Sequence, residues 1–487
     1  IQNGNMGELD LPLKFAQKLY AEFAIRHPNA FYLRTRQRGM QNWDGKIHYI
    51  NKHGEFKIGL LPAVYEKCIE YGIKPKVVDM RQPLPKVSKV VTKIGEYKLR
   101  PEQEKAVKAV INNRIGKVPF QIGVLDYTVN AGKTLIMSSL YLSYKKQLKT
   151  LLITNDSDWL NQARDEFKKY LPGEQITFVQ GKVLNWSNFT IGMVQSISRN
   201  MRFYQNELAK VDMVLVDEAD QAGSKQYQNV LTRLFNTRVR IGLSGTIYMS
   251  KLAKDKVKNM NLEVFFGKVL AEFKLKDSIK KGYSTRTIVK MVPSKPWYGN
   301  WESEEVSYKE VYDDSITFNK YARKMVYARL KWNIKQGRYP ALVVCKFIAH
   351  CEKLCKYFKK KLGSKYNIAC VHVDTPSKIR QQIMKDFREG KIDILVSTTI
   401  IARGKNFPKL RYLLNAASMD SQEKSIQFLG RLVRTDSSKK KVYLDDLHYP
   451  GPYLNRHGKH RKQYYQKQEL KVILLEKIWK NHPIHSL

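Results

Sequence analysis

The sequence predicts an α/β protein with parallel sheets, and two observations indicate this fold class. From residue 119 onward, short apolar segments alternate with amphipathic segments of helical length, which is typical of parallel strands connected by helices on both faces of a sheet. The chain of 487 residues is also long enough for about three domains. We therefore expect two sheet domains, with smaller folded segments before and after them.

The first strand, turn and helix unit carries a candidate phosphate site. An apolar run at 121–125 predicts a buried strand, Thr-Val-Asn-Ala-Gly-Lys-Thr at 128–134 predicts a turn, and the run from Leu135 predicts a helix. Backbone N–H groups at such a turn and the positive end of the helix dipole attract phosphate. The residues that we expect to contact the phosphates of ATP are Asn130, Ala131, Gly132, Lys133 and Thr134.

A second apolar run ends abruptly in acidic residues. The strand pattern at 211–216 leads directly into Asp217 and Glu218. A carboxylate at the carboxyl end of a parallel strand is well placed to bind Mg²⁺, so we expect Asp217 and the Thr134 hydroxyl on the metal side. Glu218 can orient or deprotonate the water that attacks ATP. A solvated acidic loop is the alternative, and the phosphate turn in the same half of the chain favours the metal site.

Two arginines in the second half of the chain complete the expected ATP site. The segment Gln427-Phe-Leu-Gly-Arg-Leu-Val-Arg places Arg431 and Arg434 one helical turn apart, where both can reach a transferred phosphoryl group. Because the turn and the arginines lie in different halves, we expect an ATP site divided between two lobes. Hydrolysis would then change the distance between the lobes, which suits a molecular motor.

The order of these motifs resembles that of superfamily 2 helicases and translocases, over residues 95–446. Three further segments carry the likeness. Leu99-Arg-Pro-Glu-Gln103 is similar to the segment that reads adenine in that family, and Ser244-Gly-Thr246 to the segment that couples hydrolysis to strand movement. Val396 to Asn406 is similar to the motif that touches nucleic acid and the ribose side of the nucleotide. The resemblance implies two tandem RecA-like lobes, with ATP and Mg²⁺ as cofactors.

The resemblance also implies roles for individual residues. The nucleotide contacts that it adds are Gln103, Gly404 and Asn406. The catalytic set becomes Lys133, Glu218, Gln427, Arg431 and Arg434. The coupling residues are Ser244 and Thr246. The nucleic-acid contacts expected at strand ends and helix starts are Asn155, Gln195, Lys346 and Thr398.

The tetrapeptide Asp217-Glu-Ala-Asp220 matches the name of the DEAD-box RNA helicases, but the rest of their pattern is missing. Gly245 stands where those enzymes usually carry alanine, and Gln427 stands where they carry histidine. The segment at 155–158 does not match their first strand-contact motif. The tetrapeptide is therefore weak evidence for an RNA substrate.

The segment from Phe31 to Ile50, followed by Gly59-Leu-Leu-Pro and a helical pattern at 63–71, resembles the small N-terminal domain of phage UvsW-type DNA helicases. Those enzymes remodel branched DNA. We expect basic strands to meet in a hairpin at Asn42-Trp-Asp-Gly45. Packing of Trp43 in the core is preferred over contact of Trp43 or Tyr32 with a base or sugar. The basic face expected toward a duplex comprises Arg34, Arg36, Arg38 and Lys46.

The composition indicates a nucleic-acid partner. The chain carries 87 Lys and Arg residues against 44 Asp and Glu, a formal net charge of +43, which attracts phosphate polyanions. No apolar stretch of about 18 residues and no signal-peptide pattern is present, so we expect no membrane partner and a cytoplasmic location, that of the host if the chain is phage-encoded. The five cysteines favour a reducing compartment and buried thiols over a zinc site.

Five segments make up the expected organisation. They are an N-terminal duplex-binding domain at 1–80, a linker at 81–94, an ATP-binding lobe at 95–270, a second lobe at 271–446 and a basic helical C-terminal extension at 447–487. In the extension, we expect the basic run from Arg456 to Tyr465 to track a displaced strand or brace a fork. A helix from Glu469 to Trp479 is expected to pack on the second lobe, and 293–314 is expected to be irregular.

The favoured function is an ATP-dependent DNA helicase or translocase that remodels branched DNA, by fork reversal or Holliday-junction branch migration, in recombination, repair or replication. Branched or forked duplex DNA is the expected partner, with single-strand-binding or recombination proteins beside it. An RNA helicase is the main alternative. A passive annealing protein is the third interpretation, because Tyr127 and Asn130 stand in the phosphate turn region where glycine or alanine is common.

Overall fold

The computed structural model describes residues 1–475 apart from 37–38, 184, 246, 248–252, 295–305, 403–406 and 436–438. The chain divides into two compact units, one from Ile1 to Phe273 and the other from Lys274 to the C-terminus. Each unit contains its own parallel sheet.

The first unit begins with short strands and helices that precede its main sheet. The elements before residue 80 are β1 (Met6–Glu8), α1 (Leu13–Glu22), β2 (Ala24–Arg26), α2 (Ala30–Arg36), β3 (Lys46–His48), β4 (Glu55–Lys57) and α3 (Leu61–Glu70). β1 pairs with β4, and β2 pairs with β3, in both cases antiparallel. Within the described residues these segments therefore form two small ribbons covered by helices.

Of the two strands predicted for the hairpin around Asn42 to Gly45, only the one after the turn is present. The turn is present, because the Asp44 carboxylate accepts the N–H of Lys46 at 2.9 Å and Gly45 has a φ of 77°. The segment before the turn is the helix α2, and β3 instead pairs with the earlier strand β2. Because β2 already pairs with β3, residues 30–36 are not needed as its partner strand. They lie in the connection between the two strands and satisfy their backbone hydrogen bonds within a helix.

The N-terminal segments are anchored to the main sheet through buried polar contacts. The N–H of Gly4 donates to the carbonyl of Phe235 at 2.6 Å, and the Asn5 amide donates to the carbonyl of Thr232 at 2.9 Å. The fully buried guanidinium of Arg240 donates back to the Gly4 carbonyl at 2.9 Å. These segments belong to the same compact unit as the sheet, and the expected boundaries at residues 80 and 94 stay predictions.

The main sheet of the first unit is parallel throughout its described strands. The remaining elements of this unit are β5 (Lys93–Ile94), β6 (Tyr97–Lys98), α4 (Pro101–Ile111), β7 (Arg114–Ile115), β8 (Val118–Pro119), β9 (Ile122–Tyr127), α5 (Lys133–Ser143), β10 (Thr150–Thr154), α6 (Ser157–Tyr170), β11 (Ile176–Val179), β12 (Phe189–Met193), α7 (Val194–Arg199), α8 (Met201–Ala209), β13 (Met213–Asp217), α9 (Lys225–Leu231), β14 (Val239–Ser244), α10 (Ala253–Phe266) and β15 (Val269–Phe273). The sheet order is β11-β12-β10-β13-β14-β9-β15. Every residue of β9, β13 and β14 is buried, as expected for parallel strands covered on both faces.

The second unit repeats this plan with a second parallel sheet. Its elements are α11 (Leu275–Lys280), β16 (Arg286–Pro293), α12 (Tyr308–Tyr312), α13 (Lys320–Lys335), β17 (Ala341–Cys345), α14 (Ile348–Leu362), β18 (Ile368–Val371), α15 (Ser377–Glu389), β19 (Ile394–Thr398), β20 (Tyr412–Asn415), α16 (Gln422–Leu432), β21 (Lys441–His448), α17 (Leu454–Lys467) and β22 (Lys471–Leu474). The described strands run in the order β18-β19-β17-β20-β21-β16-β22. The predicted α/β fold class with two parallel sheets is confirmed.

Two successive carboxylates on β21 hold helices to opposite faces of the second sheet. Asp445 accepts the Nε–H of Arg329 on α13 at 2.8 Å, and Asp446 accepts the Nη2–H of Arg461 on α17 at 2.8 Å. Neighbouring side chains on a strand point to opposite faces, so one short segment fixes both helices. Arg461 and both carboxylates are fully buried, and Tyr465 adds a hydrogen bond to Asp446 at 2.7 Å.

These contacts remove two residues of the basic run near the C-terminus from the expected strand-binding role. The run forms α17, and its Arg461 and Tyr465 face the protein interior, where they bond a strand of the sheet, whereas Arg456 and Lys459 are exposed. The role of the run stays a prediction for the exposed residues. The helix expected from Glu469 to Trp479 is wrong where the structure describes it. Residues 471–474 form β22, which pairs in parallel with β16, because the β-branched Val472 and Ile473 suit the open edge of that strand. Residues 476–479 lie outside the described part.

The segment from 293 to 314 is regular at both of its described ends. β16 extends to Pro293, and α12 begins at Tyr308, after Ser307 caps the helix by accepting the N–H of Glu310. The prediction of irregular structure is therefore wrong for these ends, and 295–305 lies outside the described residues. None of the helices described combines the length and apolar character that a membrane crossing requires.

We expect the Arg461→Met substitution to lower the free energy of unfolding by about 3 kcal/mol, because it leaves the Asp446 carboxylate buried without its cation. Urea unfolding of the purified variant measures this change. Arg456→Met, an exposed arginine on the same helix, is the matched control and is expected to leave the urea midpoint unchanged. The double variant Asp446→Asn/Arg461→Met is expected to lose less stability than Arg461→Met, and an unaltered midpoint for Arg461→Met would contradict the assigned role.

Candidate nucleotide and nucleic-acid site

The phosphate turn lies between β9 and α5. Asn130 and Gly132 both have left-handed backbone conformations, with φ of 65° and 71°. Glycine and asparagine tolerate this region better than other residues, which explains both at these positions. No side chain of the described residues caps the first turn of α5, so its N–H groups point out of the helix start without a side-chain acceptor. The turn has the form that binds phosphate.

Tyr127 points away from the turn and into the core. Its ring is fully buried, and its hydroxyl donates to the Glu102 carbonyl at 2.6 Å. Burial raises the pKa of this phenol well above its usual range. The residue is therefore the last core residue of β9, and it does not obstruct the loop that follows.

Gln103 on α4 and Arg100, the residue that precedes this helix, contact the backbone of the phosphate turn. The Gln103 amide donates to the Ala131 carbonyl at 2.8 Å, and its Oε1 accepts the N–H of Arg100 at 2.8 Å. A Cβ atom at Gly132 would lie 2.3 Å from the Gln103 nitrogen and displace that amide, and the left-handed φ of 71° further favours glycine there. The Arg100 guanidinium reaches the Asn130 carbonyl at 3.3 Å. Sequence reasoning missed Arg100, although it lies only three residues before the predicted Gln103.

Lys133 and Asp217 meet across the carboxyl edge of the first sheet. The Lys133 Nζ lies 3.4 Å from Asp217 Oδ1, and the Asp217 side chain is only 9% exposed. Oδ1 accepts no hydrogen bond from the described residues, so this oxygen is available to a cation. The parallel register aligns Asp217 with Leu243 and Ser244 with Asp126, which brings the ends of three strands together. The sequence prediction that this carboxylate faces the phosphate turn agrees with the geometry.

The residues present fit a Mg²⁺ ion that is bound largely by nucleotide phosphates. Mg²⁺ commonly takes one or two protein oxygen ligands and completes its shell with phosphate and water. Asp217 and the Thr134 hydroxyl could provide those ligands. In the described part of the chain, no group of three or more His, Cys, Asp and Glu side chains is arranged to hold a metal, so a site built from protein alone is not present there.

Glu218 begins a tight acidic turn after β13. Its backbone is left-handed, with a φ of 53°, an uncommon conformation for a glutamate. Asp220, two residues on, accepts the Ser244 hydroxyl at 2.8 Å and lies 3.7 Å from the Lys258 Nζ. Ser244, predicted as a coupling residue, is thus bonded to the acidic turn. Its predicted partner Thr246 lies outside the described residues.

The predicted strand contacts of the first unit are linked to this turn by hydrogen bonds. The Gln195 amide donates to the Asn155 carbonyl at 3.2 Å, and the Asn155 amide donates to the Oε1 of Gln221. Gln221 in turn donates to Glu218 Oε2 at 3.3 Å. The sequence predicted no role for Gln221, because no sequence pattern indicates its contact with Asn155, the residue that follows β10.

The predicted site residues of the second unit lie at the carboxyl edge of its sheet or on α16. Lys346 follows β17 directly, and Thr398 ends β19, the strand paired with β17, so the two are neighbours at that edge. The Lys346 N–H donates to the Tyr312 hydroxyl at 3.2 Å. Gln427 and Arg431 lie on α16, and Arg434 follows it. The predicted Gly404 and Asn406 lie outside the described residues.

A basic groove of about 600 Å³ lies among the N-terminal segments. Its rim includes the predicted Arg34 and Lys46, together with Arg26 and the 78% exposed ring of Phe31, both of which sequence reasoning missed. Arg36 lies beside the groove with its guanidinium 5.2 Å from the exposed Tyr32 ring, and Arg38 is outside the described residues.

Trp43 packs against its local turn but is only half-buried, so it does not fill the core as the preferred alternative predicted. Its indole N–H donates to the Lys46 carbonyl at 2.9 Å, and its ring meets His27 edge-on at 5.7 Å. The indole therefore supports the turn that carries Lys46. Among the described aromatic residues of the N-terminal segments, Phe31 and Tyr32 have exposed rings.

Two family models match the parts of the chain that carry these sites. Residues 96–249 match the type III restriction enzyme res subunit, and residues 323–436 match the helicase conserved C-terminal domain. Together they cover more than half of the chain, and one match lies in each of the two compact units. The chain is a superfamily 2 helicase. The two parallel sheets of this helicase are its tandem RecA-like lobes.

Three comparisons illustrate the likeness of this helicase to known proteins. It is 24% identical over 377 residues to IRC3 of Saccharomyces cerevisiae, across 72% of this chain but only 51% of that protein. It is 22% identical over 431 residues to the ATP-dependent DNA helicase uvsW of Enterobacteria phage T4, across 83% and 82% of the two chains. The structure of S. cerevisiae Dbp5 bound to RNA and ADP BeF3 matches with a TM-score of 0.53 and 14% identity, across 79% of this chain and 92% of that one. The last comparison supports the fold alone.

We expect the Lys133→Ala substitution to reduce ATP turnover at least about a hundredfold, because it removes the ammonium that faces the phosphates beside Asp217. The affinity for nucleic acid is expected to stay within about twofold of the wild-type value, because Lys133 lies at the phosphate turn and is not one of the predicted strand contacts. A steady-state ATPase assay and fluorescence anisotropy measure the two quantities. Lys168→Ala, an exposed lysine on α6, is the control, and hydrolysis that persists in Lys133→Ala would contradict the assignment.

Proposed function

We propose that this helicase acts on DNA and remodels branched substrates such as forks and four-way junctions. The observation that carries the proposal is the basic groove of the N-terminal segments, which belongs to the same compact unit as the phosphate turn. The phage T4 relative, named as a DNA helicase, supports it because the two chains align over most of their lengths. A duplex held in the groove would be presented to the motor lobes, so that translocation remodels the branch.

The chemistry of the groove suits a DNA backbone next to unpaired bases. Arg26, Arg34 and Lys46 supply three cations around a concave surface, and such cations bind phosphate with a strong dependence on salt. The exposed rings of Phe31 and Tyr32 offer faces on which a base could stack at a branch point. Asp44 also lines the groove, and its carboxylate lies 2.6 Å from the His48 ring nitrogen, a hydrogen bond that lowers the pKa of Asp44.

The roles of the ATP-site residues complete the proposal. Lys133 and the N–H groups of the turn hold the phosphates, and Glu218 orients the attacking water. A bound Mg²⁺ would neutralise phosphate charge beside Asp217 and Thr134. Gln427, Arg431 and Arg434 keep the role predicted from the sequence, that of stabilising the transferred phosphoryl group. Contacts of Asn155, Gln195, Lys346 and Thr398 with a strand are the corresponding proposal for the nucleic acid.

A labelled four-way DNA junction and a tailed RNA duplex, each with Mg²⁺ and ATP, distinguish the proposed substrate from RNA. We expect resolution of the junction into forks that requires ATP and is absent with Lys133→Ala. Gel electrophoresis of the labelled products measures it. Unwinding of the RNA duplex alone would overturn the DNA proposal and promote an RNA helicase, with the ATP-site assignments intact.

The double variant Arg34→Ala/Lys46→Ala tests the groove itself. We expect about tenfold weaker binding of the four-way junction at low salt, and a salt slope smaller by about 2, because two phosphate contacts are removed. ATP turnover stimulated by single-stranded DNA is expected to be unchanged. The control is Lys14→Ala/Lys52→Ala, which removes two exposed lysines of the same segments outside the groove. Equal losses in both pairs would assign the effect to net charge and contradict the groove.

A further inference from the structure

A line of hydrogen bonds runs along the carboxyl edge of the first sheet, from the proposed strand contacts to the hydrolytic glutamate. It passes from Gln195 to Asn155, then to Gln221, and ends on Glu218 Oε2. The strands that precede three of these residues, β12, β10 and β13, are neighbours in the sheet. Their ends are level, because Thr154 is in register with Met193 and Ile153 with Val216. The line therefore crosses three adjacent strand ends without a gap.

The four side chains are half-buried, so they combine fixed positions with access to a ligand. Asn155 and Gln195 each use an amide N–H in the line, whereas the side-chain oxygen of each is buried and accepts no hydrogen bond from the described residues. A buried acceptor without a hydrogen bond costs free energy, so this line of hydrogen bonds is only weakly stabilised against a competing acceptor. Phosphate oxygens are strong acceptors, and a strand bound at Asn155 would compete with Gln221 for its amide N–H groups.

We infer that Gln221 is a positioning residue that transmits the occupancy of Asn155 to Glu218. Without nucleic acid, the Gln221 amide donates to Glu218 Oε2 and occupies an acceptor position that the attacking water needs. When a strand draws the Asn155 amide toward phosphate, Gln221 loses the hydrogen bond from Asn155 to its Oε1, and its hold on Glu218 weakens. Glu218 has a left-handed backbone at this position, and its Oε2 lies 3.3 Å from the Gln221 amide nitrogen. Hydrolysis is thereby restrained until a strand is present. The inference rests on the proposed strand contact at Asn155.

The Gln221→Leu substitution tests the relay, because leucine has similar size and no hydrogen-bonding groups. We expect ATP turnover without nucleic acid to rise about fivefold, the effect of losing one hydrogen bond, and its stimulation by single-stranded oligothymidylate to shrink by the same factor. The KM for ATP is expected to stay at the wild-type value, whereas the affinity for oligothymidylate is expected to rise about twofold, because the strand no longer competes with Gln221 for the Asn155 amide. Gln221→Glu keeps an acceptor for Asn155 but loses the donor to Glu218, and the same rise is expected.

The matched control is Gln228→Leu. Gln228 is a half-buried glutamine on α9 that donates to the Gly223 carbonyl at 2.9 Å and takes no part in the line. Wild-type turnover and stimulation are expected for it. A double variant, Asn155→Leu/Gln221→Leu, separates a relay from two independent effects. In a relay, its stimulation equals that of Gln221→Leu, although Asn155→Leu weakens strand binding.

The relay would be overturned if the ratio of stimulated to unstimulated turnover in Gln221→Leu equals that of the wild type. This applies both when the two rates are unchanged and when they fall by the same factor. A ratio that collapses only through a lower stimulated rate would overturn the release of Glu218 by nucleic acid. If the wild-type protein shows no stimulation by nucleic acid at all, the proposed function fails instead. The two failures are therefore distinguishable in one set of assays.

Discussion

The register of the parallel strands in the first sheet is the constraint on which the ATP site depends. β9, β13 and β14 are hydrogen-bonded so that their carboxyl ends are level, which aligns the phosphate turn, Asp217 and Ser244 at one edge. A slip of one residue would reverse the facing of every side chain on a strand and would remove Asp217 from Lys133. The backbone ladder, more than any single side-chain contact, therefore determines the chemistry of the site.

The second sheet shows that some of the many basic residues have a structural purpose. Arg329 and Arg461 each pair with a buried carboxylate on β21 and hold α13 and α17 to opposite faces. Such paired cations bind no phosphate, so the count of 87 Lys and Arg residues overstates the number of cations available to nucleic acid. The difference between paired and available cations is largest for α17. Its sequence suggests a solvent-exposed basic helix, but its central Arg461 lies in the interior.

The sequence was most informative where local pattern and burial coincide. The buried runs of β9 and β13 and the turn between β9 and α5 could be predicted because each is encoded within a few residues. Pairing between distant segments could not. The partner of β3 is β2 rather than residues 30–36, and β22 occupies the free edge of β16, so both local predictions failed through long-range hydrogen bonding. The contacts of Arg100 and Gln221 were missed because an amide or guanidinium carries no periodic signal.

The buried Arg240 gives the N-terminal segments a mechanical connection to the motor. Its guanidinium holds Gly4, and its backbone is part of β14, the strand that ends at Ser244. A tensile force on the N-terminal segments is therefore delivered to the first residues of a central strand. An extended strand between two bonded neighbours barely stretches, so displacement at one end is passed to the other. A displacement of the N-terminal segments thus reaches the residues beside the acidic turn through the hydrogen bond to Arg240 and then along the stiff backbone of β14.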